Sequence, residues 1–400
     1  MTVTASERTT WTPWRGVLAF GLVSLLADMV YEGMRSVAGP YLGELCASAA
    51  TVGIITGAGE AAALFLRLFA GRLADRTQRH WGLTTFGYGL TAVCVPLLAL
   101  APRLGGAGLA VATVLILAER TGKALRSPSK SVLLAAAAQQ VGRGKGFGVH
   151  KALDQVGAFT GPLVVAGLAA VLSVQAGLAF LAVPGALAMI LLAALRRRLD
   201  VPGLPEAPDL PDAHGRDRVR LPLQFHTFAT AVALTTAGLL TFGMLGFHLV
   251  DADLVSTPVV PLVYAGAMAT AALAALLTGW VFDQVGARVL WVLPALVAPI
   301  PALVFANHLG VALVGIGLWG MATGIQDSTA KALVGDLVPK ARLATAYGVF
   351  AAYQGVAALA GGVLAGALYA DHRHVLAWGA AVAMAVAYLP LARSLRRVVD

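Results

Sequence analysis

Apolar residues run along this chain in stretches of about 20, each long enough to cross a ~30 Å hydrocarbon core as a helix. Bounded by turn or charge signals, they predict twelve spans: 16–42, 49–71, 82–101, 107–127, 146–172, 174–195, 221–250, 258–282, 288–306, 309–335, 343–369 and 374–393. Strands of a membrane barrel would be shorter and would alternate polar with apolar. The expected fold class is therefore an all-α membrane protein: twelve transmembrane helices in two six-helix bundles, residues 1–195 and 221–400, joined by a linker at 196–220. The linker carries Pro202, Pro205, Pro208 and Pro211 among many charges, a composition that cannot build a packed core. Asp28 and Glu32 stand where a signal peptide would need small residues, so cleavage is not expected.

Composition agrees with this pattern, since 58% hydrophobic and 12% charged residues leave too little polar surface to wrap a soluble chain of 400. The net charge of +9 raises the question of a nucleic-acid partner, which the placement of the charges answers. Of 29 Lys and Arg, 21 fall in the N-tail, the even-numbered connections and the C-tail, while only Arg103 and Arg373 fall on the other side. By the positive-inside rule both termini and the linker are cytoplasmic, in a multi-pass protein of the cell membrane with no nucleic-acid partner. Cys46 and Cys94 lack metal-ligand spacing and read as packing residues.

The two halves repeat. Gly71 to Asp75 closes the second span and Gly279 to Asp283 closes the eighth, 208 positions later. Gly148 and Val149 return as Gly348 and Val349, offset by 200, with Asp154 answered by Gln354. Such a duplication makes the bundles pseudo-symmetric and lets them rock about a central site.

Ionisable side chains inside spans are costly in hydrocarbon and normally mark solute or proton paths. The first span carries Asp28, Glu32 and Arg35 on one helical face, and the fourth carries Glu119, Lys123 and Arg126 likewise, with Arg120 turned about 100° away. Glu60 and Arg67 lie in the second, His150, Lys151 and Asp154 in the fifth, and Gln326, Asp327 and Lys331 in the tenth. Spans three, six, nine and twelve have none in their interiors, so they are fit to face lipid while one, four, seven and ten surround a cavity. With Arg126 counted in the connection that follows its span, buried acids and bases number six each, which leaves substrate charge undecided. Glu32 with Arg35, Glu119 with Lys123 and Asp327 with Lys331 are also spaced as simple structural pairs, whereas Asp28 and Asp154 lack a basic partner on their own face. His150 and Asp154 alone cannot make a metal site, and none is expected.

Gly71-Arg72-Leu73-Ala74-Asp75-Arg76-Thr77-Gln78-Arg79 resembles motif A of the major facilitator superfamily, departing where Gln78 replaces its second glycine and His80 its final base. The copy from Gly279 to Arg288 keeps Asp283, Gly286 and Arg288. Gly157-Ala158-Phe159-Thr160-Gly161-Pro162 resembles motif C of the antiporter members, whereas motif B is not matched. The stretches 119–128 and 146–154 resemble a bacterial branch of efflux permeases. The resemblance implies the major facilitator fold, a cytoplasmic gate at Gly71, Asp75, Arg76, Arg79, Asp283 and Arg288, and a helix bend at Gly157, Gly161 and Pro162. No hydrolase or zinc-protease motif and no Walker loop is present, so an enzyme is not expected and energy must come from a gradient. The reading is a proton-coupled antiporter that exports a small molecule by alternating access and acts as a monomer without a cofactor. Its alternatives are a proton-coupled importer or a metal-ion or lipid exporter of the same fold and, more distantly, a membrane-embedded enzyme or sensor. Proton coupling is expected on Asp28, Glu32, Glu119 or Asp154, with Arg35, Glu60, Arg67, Arg120, Lys123, His150, Lys151, Gln326, Asp327 and Lys331 forming a charge network in the cavity.

Overall fold

The computed structural model describes residues 11–139, 141–199, 221–339 and 342–395. In chain order the helices are α1 Pro13–Glu44, α2 Ala49–Thr77, α3 His80–Leu97, α4 Gly108–Ala137, α5 Arg143–Val171 and α6 Val174–Arg198. The second half has α7 Leu223–Asp251, α8 Val260–Val285, α9 in short pieces over 286–304, α10 Leu309–Leu337, α11 Leu343–Leu368 and α12 Arg373–Leu395. No strand occurs among the described residues. Pro13 sits in the first turn of α1, where its missing N–H leaves no bond unmade. Ser48 and Ser173 cap α2 and α6 by accepting from the amides of Thr51 and Ala176.

Ten segments are long and apolar enough to cross a membrane, and two of them, His80–Ala137 and Thr257–Val304, are far longer than one crossing needs. In the first, a Cβ on Gly87 would meet Gly122 O at 2.5 Å and one on Gly108 would meet Ala101 O at 2.5 Å, so α3 and α4 form an antiparallel hairpin. Gly105, at φ 53°, makes the reversal. In the second, α10 packs Gly320 and Gly324 against Ala267 and Ala271 of α8 in parallel, while Gly315 meets Leu303 and Val304 of α9 at an antiparallel hairpin. The chain therefore turns between α8 and α9, at Gly286 with φ 65°. Among the described residues, each of these two segments therefore folds back on itself, as an expected pair of spans would.

The boundaries differ from expectation in three places. α4 continues past residue 127 to Ala137 and so takes in Lys130, and α6 continues through Arg196 and Arg198, residues assigned to the linker; the rest of the linker, 200–220, lies outside the described residues. α7 is not continuous: it breaks between Leu239 and Phe242, where Leu240 has φ 62° and ψ 175° and its carbonyl accepts from Trp319 Nε1 at 3.4 Å. The break falls at Leu240 and Thr241, between Gly238 and Gly243, inside a run of apolar residues that continues on both sides, which is why the apolar pattern concealed it.

Both halves use the same contacts. Gly157 and Gly161 of α5 lie on the backbone of Leu25 and Met29 in α1, just as Gly361 of α11 lies on Ala237 of α7. α1 and α7 are the most enclosed segments, 61% and 72% buried in their most apolar windows, while α12 is 28% buried with Trp378 and Leu389 exposed. The halves meet where α1 ends and α7 ends, Gly39 lying against Gly243, and along α2 and α11 from Gly53 and Gly362 to Leu68 and Gly348. α5 also packs on α8. At the opposite end, where α1 begins and α12 ends, α4 and α10 make no extended contact. The interior is thus closed at one end and open at the other.

Candidate functional site

The interior charges are held by four helices. Glu60 of α2 lies between two guanidinium groups, Arg35 of α1 at 3.1 Å and Arg120 of α4 at 3.6 Å. Arg35 also approaches Glu32 at 3.6 Å and donates to Tyr264 Oη at 3.1 Å. Tyr264, on α8 of the other half, donates to Glu32 Oε2 at 2.5 Å. The close packing of Gly59 on Arg120 Cγ and the three-residue spacing of Glu32 and Arg35 turn these groups toward one another. Glu32 is therefore not only half of an intrahelical pair; its strongest partner spans the two halves.

Along α4 the expected pairing changes. Lys123 does not bond Glu119; its ammonium lies 3.3 Å from the centroid of the Tyr31 ring, and Arg120 stacks over the same ring at 4.6 Å while bonding its hydroxyl. Glu119 is fully buried, accepts from Thr91 at 3.1 Å, and keeps its other oxygen free of any hydrogen bond, with Arg120 Nε 3.8 Å away. Arg126 donates to the same Thr91 at 2.5 Å and stacks on Tyr88, 4% exposed. It thus belongs to the bundle interior and not to the connection.

A second cluster joins α1 to α5. The carboxyls of Asp28 and Asp154 face each other across the α1–α5 seam, each within reach of the other's charge. Ser24 donates to Asp154 at 2.8 Å, Lys130 to Ser24 at 3.2 Å, and Lys151 to Asp154 at 2.8 Å. Asp154 therefore has the basic partner it was expected to lack, one turn back on its own helix. The cause of this approach is local: Gly157 and Gly161 remove the side chains that would hold α5 off α1. His150 is buried beside this cluster but does not bond Asp154, and its Nε2 has no hydrogen-bond partner.

α10 contributes less to the network than expected. Gln326 is tied to α7, donating to Thr235 at 2.9 Å and accepting from Thr236 at 3.3 Å, at a π-turn over Gln326–Ala330. Asp327 and Lys331 pair at 2.6 Å, with side chains 66% and 38% exposed, as a wall of the open cavity rather than a buried bridge. Arg67 of α2 feels the charge of Asp327 across that space, although its Nε bonds to nothing. Among the gate residues, Arg76 is exposed at the end of α2; the Asp75 side chain lies outside what is described. Gln78 takes the left-handed conformation, φ 51°, at the position where the resembling motif has glycine. Tyr31, Tyr264, Thr91, Ser24 and Lys130 escaped notice in the sequence because hydroxyls, rings and one loop-assigned lysine carry no span-level signal. A cleft of about 610 Å³ between α9 and α12, lined by Phe305, Arg373 and Trp378, holds none of these groups. Among the described residues, no three His, Cys, Asp or Glu are placed to hold a metal ion.

Two helical halves that meet at one end, with charged groups of one hydrogen-bonded to a tyrosine of the other, have the arrangement of a secondary transporter. The pattern of the Major Facilitator Superfamily matches residues 20–257, and the chain belongs to that family. It is 47% identical over 362 residues to an uncharacterized protein of Mycobacterium tuberculosis, Rv2265, covering 89% of this chain and 87% of that protein, and equally to one of Mycobacterium bovis, Mb2288. Among solved structures, the nucleoside transporter NupG superposes with a TM-score of 0.68 at 16% identity, covering 94% of this chain and 98% of that one. A POT family transporter in complex with 5-aminolevulinic acid gives 0.74 at 12%, with 96% and 97% covered. A bacterial homolog of the human lysosomal transporter Spinster, inward-facing and unoccupied, gives 0.68 at 15%, with 98% and 95% covered. At these identities the likeness is one of fold.

Proposed function

We propose that the protein is a proton-coupled antiporter of the cell membrane, exporting a small molecule from the cytoplasm by alternating access between an N-terminal bundle, 1–195, and a C-terminal bundle, 221–400. The observation that carries the coupling is the juxtaposition of Asp28 and Asp154. Two carboxyls set this near each other favour sharing a single proton, because like charges so close do not both ionise readily. Lys151 bonds Asp154 directly and Lys130 reaches it through the Ser24 hydroxyl, so a small shift of α5 against α1 changes whether the proton stays. Glu32 and Glu119 are the other acids that could exchange protons, each already engaged by a hydroxyl. The open end carries both ends of the described chain and is read as cytoplasmic from its excess of Lys and Arg. Efflux is favoured by the motif C glycines on α5. Asp75, Arg76 and Arg79, with Asp283 and Arg288 in the second half, would clamp the cytoplasmic end when it closes.

In proteoliposomes an inward-directed proton gradient should drive solute the other way. Asp28→Asn should abolish that acceleration while leaving solute exchange, and Asp75→Asn should slow turnover without preventing insertion. Full response of Asp28→Asn to the gradient would place coupling elsewhere, and drive by sodium alone would end the proton reading. Unchanged turnover of Asp75→Asn would remove the gate.

A further inference from the structure

Among the described residues, the carboxylates of Glu32, Glu60 and Asp327 are already engaged by the chain itself. Glu60 lies between Arg35 and Arg120, Glu32 accepts from Tyr264, and Asp327 is held by Lys331 at 2.6 Å. The cations are not matched in the same way. Once Arg126 and Lys130 are placed inside the bundle, interior bases number eight against the six acids, where the sequence alone gave equal numbers. Arg126 reaches Glu119 through Thr91, and Lys130 and Lys151 serve the pair on α1 and α5.

Two cations remain. Lys123 rests on the Tyr31 ring, with no carboxylate in ion-pair distance. Arg67 makes no ion pair, and its buried Nε has no hydrogen-bond partner. Arg67 lies two turns beyond Glu60 on the same face of α2, and Lys123 lies one turn beyond Arg120, the α4 guanidinium that Glu60 pairs and that shares the Tyr31 ring with Lys123. A cation partly withdrawn from water without a counter-charge is raised in energy, and an arriving anion relieves it. An organic cation would find the reverse, needing to displace Lys331 or Arg35 to reach a carboxylate.

We infer that the transported molecule bears an anionic group, a carboxylate or phosphate, which seats between Arg67 of α2 and Lys123 of α4 in the cavity facing Asp327 and Lys331. This deepens the transport reading and rests on it for the word transported, but the charge preference of the site can be measured without a gradient. Ser127 lies one turn from Lys123 on the same face of α4 and is half-buried. In full-length protein with the exposed Cys46 replaced by Ser, Ser127→Cys would be reacted at low salt with two methanethiosulfonate reagents, one ending in sulfonate and one in trimethylammonium. Relative to a free thiol, the sulfonate reagent should be favoured by roughly tenfold, the scale on which a charged cleft biases encounter. Lys123→Gln with Arg67→Gln should remove the preference, and Lys123→Arg should retain it. A preference for the trimethylammonium reagent, a ratio indifferent to the glutamine substitutions, or a thiol silent to both reagents would overturn the inference. So would stabilisation against heat by tetraphenylphosphonium but not by benzoate or phosphate. Loss of gradient-driven flux with the sulfonate preference intact would sink the coupling reading alone.

Discussion

Tyr264 shows how one hydroxyl can couple the halves. It donates to Glu32 at 2.5 Å and accepts from Arg35 at 3.1 Å, so a single residue of α8 closes a charged triad whose other members are on α1. A hydrogen bond to a charged group contributes about 2 kcal/mol, which as a bias between two states is roughly thirtyfold in population. Tyr264→Phe keeps the ring packing on Phe242 and removes only the hydroxyl. It should shift the protein toward the state open at the far end, read as faster labelling of a cysteine placed at Gly43, with Tyr264→Trp as a control for packing. Labelling no faster than in the unsubstituted protein would show that the bond does not bias the halves.

At the level of elements, the contact of α5 with α1 is set by glycine. A Cβ on Gly161 would meet Met29 O at 2.3 Å and its Cα at 2.7 Å, backbone atoms that cannot turn aside. Gly161→Ala must therefore part the two helices, costing about 1 to 3 kcal/mol as overpacking does. The same displacement would separate Asp28 from Asp154 on the adjoining turn. Thermal unfolding should occur at lower temperature, and proton-driven flux should fall by more than exchange does. Equal loss of both activities would reduce the glycine's role to packing. The broken α7 is a second element-scale device: Leu240 occupies a region of backbone space that is nearly reserved for glycine, a conformation costing of order 1 to 3 kcal/mol, held by packing and the Trp319 bond. It divides α7 so that its second piece, Phe242–Asp251, can pack on α1 at the closed end.

For the whole molecule, the closed end joins Thr56 of α2 to Thr241 of α7 through their hydroxyls at 2.7 Å. If the halves rock, this contact must open in every cycle. Thr56→Cys with Thr241→Cys, in a background with Cys46 replaced by Ser, should cross-link under mild oxidant, stop transport, and recover with reductant. Cross-linked protein that still turns over would contradict alternating access across this seam.

The apolar pattern was sufficient for the class, a multi-pass helical membrane protein, because a membrane demands about 20 apolar residues from every crossing helix whatever its neighbours. It also picked out Asp28, Glu32, Glu60, Glu119 and Asp154 as misplaced in hydrocarbon, since that cost is a property of the side chain alone. Partners were another matter. Helical spacing paired Glu119 with Lys123, yet Tyr31 took the lysine and Thr91 the glutamate; spacing left Asp154 unpartnered, yet Lys151 bonds it and Asp28 faces it. Such choices depend on which helix lies alongside and how closely, decided here by glycines set against a neighbour's backbone. The surplus of positive charge in the interior likewise waited on tertiary structure: Lys130 and Arg126 read as loop residues until α4 was seen to run on to Ala137, because a helix end is fixed by the packing that covers it rather than by the residues at the boundary.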